Sequence, residues 1–382
     1  MMSSPYADSA SYLDTPVAVD GFLSEIASVK ELALDTEGAS FHRFLDRIYL
    51  LQISTRERSA ILDPLPIGSP VKLGELLLSK DVEVVFHDAD YDLRLLHQDY
   101  GWHVNNIFDT RVASQLLGIK SFGLAALLDQ YFDVKLDKKH QRADWSMRPL
   151  TQDMLEYAAQ DTRYLLQLKD HMKGELQRRG RWHWAEEEFA RLEGTRWEAE
   201  ESMEGFLRLK GARDLTRREL AVLREVANWR DTVASQLDRA TFRVMGNEVL
   251  LELSRLAPRS VSELGAIKGM PKGMMDRAGA DIVAAIRRGM EAPEAELPKF
   301  PRGLRWSKDR DFDERVARLK SVRDAAAARL ELDPGVLCSR EKLENVARSG
   351  AKSVDDLASV PDLRRWQIEE MGEGFISALA AE

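Results

Sequence analysis

The stretch Glu31-Leu32-Ala33-Leu34-Asp35-Thr36-Glu37 decides how the rest of the chain reads. Its apolar centre, Leu32-Ala33-Leu34, predicts a buried strand. Strand alternation puts Asp35 and Glu37 on one side of it. Two acids held side by side repel, and the pair makes sense with a cation between them. A hard divalent ion such as Mg²⁺ takes carboxylate oxygens and keeps several waters. Taken alone, D-x-E also suits an exposed strand end with solvated acids.

Working outward, residues 16–30 predict a helix, with Val19, Phe22, Leu23, Ile26 and Val29 at helical spacing. Two strands follow the acidic one, Tyr49–Ile53 and Ser59–Leu62, joined by the charged turn Thr55–Arg58. Pro64, Pro66, Gly68 and Pro70 mark a loop, followed by a helix near 70–79 and the strand Val82–Phe86. Helices are predicted near 90–99, 110–117 and 123–131, and one long helix from about 151 to 180 with Thr151 as its N-cap. Three early strands, then strands alternating with helices, predict an α/β domain with a mixed sheet. From about residue 200 strand signals stop. Two helical units of similar length follow, joined by a stretch containing Pro293, Pro298 and Pro301. The expected domains are 1–195, 203–292 and 303–382.

Two further clusters give the D-x-E pair its company. After the strand ending at Phe86 comes His87-Asp88-Ala89-Asp90-Tyr91-Asp92, and Asp92 falls at the start of a helix. Open α/β sheets place their sites at such carboxyl ends. Asp88 and Asp90 also suit a helix N-terminus as dipole partners. Further on, Tyr157 and Asp161 stand at i and i+4 on the long helix and share a face. Separately, Tyr157 reads as a half-buried core tyrosine and Asp161 as a surface acid.

Together, D-x-E ending a strand, an aspartate opening a later helix and Tyr-x-x-x-Asp on a late helix resemble the DEDD exonuclease superfamily in its tyrosine-bearing DEDDy subclass. Within it the chain resembles the ribonuclease D family. The segments Phe108-Asp109-Thr110, Ser121-Phe122-Gly123-Leu124 and Asp144–Thr151 extend the resemblance, and the two helical units resemble HRDC domains. Gly38 is a departure, since bacterial members usually carry an aromatic there. The resemblance implies a ribonuclease H-like exonuclease domain followed by two all-α HRDC domains. It also implies hydrolysis of RNA from the 3′ end with two Mg²⁺ or Mn²⁺ ions, releasing nucleoside 5′-monophosphates. Two ions about 4 Å apart can serve both the attacking and the leaving oxygen. By that resemblance Asp35 bridges, Glu37 and Asp161 complete the first position, Asp92 holds the second, and Tyr157 orients the attacking water. A phenol suits orientation better than base catalysis. Asp109 reads equally as a helix cap or a support for the acids. His87 reads as a strand end rather than a substrate contact.

Composition fits these expectations. The chain has 382 residues, 44% hydrophobic and 31% charged, with a formal net charge of −9. That charge argues against nucleic acid at face value, but the acid excess lies in the first 200 residues, where the paired carboxylates are. A metal-collecting site is acidic until its ion arrives. A single cysteine, Cys338, excludes an internal disulfide framework and a cysteine metal site. No apolar run has the length of a membrane span, and the polar start predicts no signal peptide. A cytoplasmic monomer is expected, with no membrane partner.

For substrate binding, the dense basic run Lys135–Arg142 supplies Lys138, Lys139 and Arg142. Lys and Arg carry most sequence-independent affinity for phosphates. The first helical unit adds Arg208, Lys210, Arg213, Arg217 and Arg218 near its start, and Lys268 and Lys272 around Gly269-Met270-Pro271. Arg208, Lys210 and Lys268 are the candidate RNA contacts there. Trp145 is expected to pack its loop, and Trp229 and Trp366 to fill helical cores. The expected partner is RNA with a free 3′ end, transfer RNA precursors above all. Two other readings use the same fold: a DNA 3′→5′ exonuclease, and a nucleic-acid-binding adaptor without catalysis. Four intact acids and Tyr157 argue against the adaptor.

Overall fold

The computed structural model describes residues 10–137, 139–198, 205–300 and 311–381. Six strands form one sheet: β1 (Ser11–Leu13), β2 (Glu31–Glu37), β3 (Leu50–Ser54), β4 (Ser59–Leu62), β5 (Glu83–Phe86) and β6 (Ile107–Asp109), in the order β1-β4-β3-β2-β5-β6. β2 is central, antiparallel to β3 and parallel to β5. The sheet is mixed, as expected. Leu32, Ala33 and Leu34 are fully buried within it. β1 and β6 escaped the sequence reading because three residues are too few to show a period.

The late helix is not continuous. It runs Gln152–Arg163, pauses at Tyr164 (φ −105°, ψ −2°) and resumes as Leu165–Arg178. The two halves are tied to different places. Thr162 shares a 2.8 Å hydroxyl hydrogen bond with Ser54 of β3. Lys169, nearly buried, bonds Glu31 and Glu83 at the starts of β2 and β5. At the break, the Tyr164 ring stacks on Phe132 at 5.8 Å.

A further helix, Trp182–Leu192, follows, which the sequence reading did not predict. Its apolar side, Trp184, Ala185 and Phe189, lies in one core with Phe108 and the second helical unit. Trp184 stacks on Trp366 at 4.7 Å. The Glu187 carboxylate accepts from the Arg365 and Trp366 amides, so it caps the helix Arg365–Ala380. Glu188 pairs with Arg364 and accepts from the Trp366 indole. Arg181 donates to the carbonyls of Leu116 and Leu330. Gly118 has φ +76°, and a Cβ there would lie 2.2 Å from the Glu331 carbonyl oxygen. Trp366 therefore fills a core shared with the nuclease domain rather than a private helical one. The apolar side of the chain past 165 shares its core with the second helical unit.

Accordingly, the described residues up to Glu37, Ile48–Trp197 and the described residues from 311 onward form one compact unit. Gly38–Arg47 and the residues from 205 to 300 form another. In the latter, Leu220, Leu223, Val226, Leu250, Leu253, Ile282 and Ile286 make the core, with Trp229 packed against it. Thr216 and Glu219 close a capping box at the start of Arg217–Gln236. The segment Gly38–Arg47 packs on this helical unit. Phe41 meets Phe242 edge-on at 6.3 Å, and the Phe44 amide donates to Asp238.

Candidate active site

The site forms where β2 ends. Asp35 and Glu37 project from the same side of the strand, and Asp161 comes from the helix Gln152–Arg163. One oxygen from each carboxylate lies within 4.8 Å of the others. Asp92, in the first turn of the helix Asp90–Tyr100, is buried. Its Oδ1 accepts from the Thr36 amide at 2.9 Å and from the Thr36 hydroxyl. The parallel pairing of Leu32 with Val84 and Ala33 with Val85 carries the end of β5 up beside Asp35 and Thr36. That register brings Asp92 to its place.

The turn between β5 and this helix is strained, since Asp88 has φ +70°. Asp109 supports it. Its carboxylate accepts from the amides of Asp88 (3.2 Å) and Ala89 (2.8 Å), and from Arg111 (2.7 Å) and Val112 (3.1 Å) of its own helix. Asp109 is thus a helix cap and a support for the Asp92 turn at once. His87 shares a 2.9 Å hydrogen bond with the Thr110 hydroxyl, which donates to the Phe86 carbonyl. Burial pushes the His87 imidazole down to about 4, so it is neutral at pH 7. His87 belongs to the scaffold, as the strand-end reading has it.

A family model described as 3′-5′ exonuclease matches residues 11–177, and one described as HRDC domain matches 219–286 and 312–379. The chain is similar to ribonuclease D of Nitrobacter hamburgensis, 29% identical, over 96% of this chain and 94% of that protein. It is 31% identical to ribonuclease D of Jannaschia sp., over 74% of this chain and 75% of that one. The chain belongs to the ribonuclease D family. Its fold is also that of the solved Escherichia coli RNase D, with a TM-score of 0.73 over 97% of this chain and 98% of that one, at 24% identity. As a ribonuclease D family member the chain is a hydrolytic exoribonuclease, with a 3′-5′ exonuclease domain, a mixed sheet and HRDC domains.

The electrostatics of this ribonuclease D site are those of carboxylates crowded together away from water. Desolvation, then Asp161, raises the Asp35 pKa well above the usual carboxylate range. Desolvation and the neighbouring Asp35, Asp161 and Asp92 do the same to Glu37. Asp92 is raised by desolvation and by Asp35, against the pull of its two Thr36 hydrogen bonds. Asp161 is pushed up to about 7 by desolvation and Asp92. All-oxygen donors in close array fit a divalent cation such as Mg²⁺ or Mn²⁺, which would reverse every one of these shifts. Tyr157 stands one helical turn before Asp161. Desolvation, Asp161, Glu37 and Asp35 all raise its pKa, so it remains a phenol at neutral pH. Trp145, 1% exposed, lies 6.0 Å from the Tyr157 ring and His140 meets it edge-on at 5.9 Å. Trp145 packs its loop, as expected.

The basic candidates are scattered in role. Lys138 lies outside the described residues. Lys139 pairs with Asp153 beside Tyr157. Arg208, Lys210 and Lys268 are exposed. Arg213 lies over the Phe300 ring. Arg217 and Arg218 donate to carbonyls between Gly289 and Leu297, so they fasten the end of their own helical unit. Sequence reasoning missed Thr36, although it sits inside the D-x-E motif. Only tertiary structure shows that the middle residue grips a third acid.

Proposed function

We propose that the protein trims RNA from its 3′ end by a two-metal mechanism, with Mg²⁺ or Mn²⁺, and releases nucleoside 5′-monophosphates. The observation that carries this reading is the convergence of Asp35, Glu37 and Asp161 within 4.8 Å, with Asp92 fastened beside them by Thr36. When bound, the two ions would activate water and stabilise the leaving 3′-oxygen. Asp35 would be shared between the two ions, with Glu37 and Asp161 as further ligands of one and the remaining oxygen of Asp92 as a ligand of the other. The Tyr157 hydroxyl would donate a hydrogen bond to the attacking water and fix its direction, keeping its own proton. Lys138, Lys139 and Arg142 grip phosphates near the site, and Arg208, Lys210 and Lys268 also contact RNA. The domains are 1–195, 203–292 and 303–382. The proposed substrates are transfer RNA precursors, and the proposed form is a cytoplasmic monomer.

The test is digestion of matched RNA and DNA oligonucleotides with free 3′ ends, with Mg²⁺, Mn²⁺ or chelator. Metal-dependent release of 5′-monophosphates from RNA is expected. Faster digestion of DNA would favour the DNA exonuclease reading. Binding without cleavage under every metal would favour the adaptor.

A further inference from the structure

Gln52 has a side chain that the fold buries completely and leaves unsatisfied. It is 0% exposed, and neither Nε2 nor Oε1 has a hydrogen-bond partner among the described residues. A buried amide without partners is costly, and a leucine of similar size would fill the space without that cost. Such an orphan calls for a reason.

Its position supplies one. In the antiparallel β2–β3 pair, Gln52 is the direct partner of Asp35. Directly opposed residues share a face of the sheet, with Cβ atoms about 4.5–5.5 Å apart. A carboxamide is therefore within reach of the carboxylate at the centre of the acid cluster. Two residues along the same face, Ser54 bonds Thr162, the neighbour of Asp161. The side of β3 that carries Gln52 is thus the side covered by the helix bearing Asp161. On the other edge Gln52 pairs with Ile61, which is apolar and offers its side chain nothing.

We propose that Gln52 is a positioning residue of the acid cluster: its carboxamide Nε2 donates to the Asp35 carboxylate when that group holds a cation. This rests on the cation site proposed above. A carboxylate that ligates a metal is itself hydrogen-bonded by its surroundings, which fixes which oxygen lone pairs face the ion. On that face Gln52 supplies an amide donor directly opposite Asp35. It has no proton to exchange and does not touch the reacting atoms. Its contribution is to hold one rotamer of Asp35 against repulsion from Glu37 and Asp161.

The experiment uses the full chain with Mn²⁺ and no RNA. Gln52→Leu and Gln52→Met remove both polar atoms at similar volume. Calorimetric titration of Mn²⁺ should show affinity weakened roughly tenfold or more, the usual scale for losing a partner of a metal ligand. The melting temperature of the metal-free variants should equal or exceed that of the wild type, because the orphan amide is gone. A purely structural glutamine predicts the opposite pair of results. Mn²⁺ affinity within twofold of wild type in either folded variant overturns the proposal. So does failure of both variants to fold. If wild type itself takes up no Mn²⁺, or Asp35→Ala binds it equally well, the cation site fails and Gln52 positioning fails with it.

Discussion

Thr36 donates to a single oxygen of Asp92 twice, from its backbone nitrogen and from its hydroxyl. The residue between the paired acids of β2 thus holds the acid delivered by another element 56 positions later. Thr36→Val keeps the shape and the backbone bond but removes the hydroxyl. One lost charge-assisted hydrogen bond is worth about 1.5–3 kcal/mol. We expect kcat on a short RNA to fall roughly tenfold to a hundredfold if that difference is felt in the transition state. Single-turnover rates within twofold of wild type would show that Asp92 needs no such support.

Asp35→Ala should abolish hydrolysis, with a loss on the order of a thousandfold or more. It should not weaken the metal-free fold. Desolvation and Asp161 already disfavour the charged form of Asp35, so its removal relieves a repelling cluster. Rate measurements and thermal melting on one preparation check both halves. Activity within tenfold of wild type contradicts the assigned role.

The cluster also sets a pH dependence. Asp161 ionises near 7 in the folded state and near the ordinary 3.8 when unfolded. Between about pH 4 and 7 the folded chain holds a proton that the unfolded chain has released, so stability falls as pH rises through that window. Asp35, Glu37 and Asp92 shift in the same direction. The melting temperature of metal-free protein should therefore decline from pH 5 to 7.5. Asp161→Asn should flatten the slope, and Mg²⁺ should raise the melting temperature more at pH 7.5 than at pH 5. A rising or level profile in the wild type would count against the shift.

Tyr157→Phe keeps the ring and its packing against Trp145 and loses only the hydroxyl. A loss of roughly tenfold to a hundredfold in kcat is expected, about 1.4–2.7 kcal/mol, with Mn²⁺ affinity unchanged. If Mn²⁺ binding weakens as much as in Asp161→Ala, Tyr157 does more than orient water.

Trp366→Ala should destabilise the nuclease domain itself. It removes a fully buried ring stacked on Trp184 and leaves Glu188 without the indole donor. Large aromatic truncations in cores cost about 3–5 kcal/mol. Denaturant unfolding followed by fluorescence and by loss of nuclease activity should shift together. A change under about 1 kcal/mol would mean that the second helical unit is an appendage.

The clustering of the acids was legible in the sequence because local geometry restricts spacing. An i, i+2 pair on a strand and an i, i+4 pair on a helix lie on one face whatever surrounds them. The longer buried strands were legible too, since burial on a pleated sheet writes apolar runs into the chain. Asp109 showed only its local half: its capping of Thr110–Leu116 could be read, but its grip on Asp88 and Ala89 could not.

What tertiary structure alone decided depends on contacts between residues far apart in the chain. The break at Tyr164 lies between the anchor of Thr162 on β3 and that of Lys169 on β2 and β5. The second helical unit shares a core with the nuclease domain because Trp184 and Trp366, 182 positions apart, stack. Neither tryptophan has a neighbour in sequence that announces the other. Gln52 looks like an ordinary polar residue of a strand until the register sets it opposite Asp35. Side-chain identity and local period follow from nearest neighbours along the chain, whereas partner choice across the fold is settled only when burial and hydrogen bonding are satisfied for all elements at once.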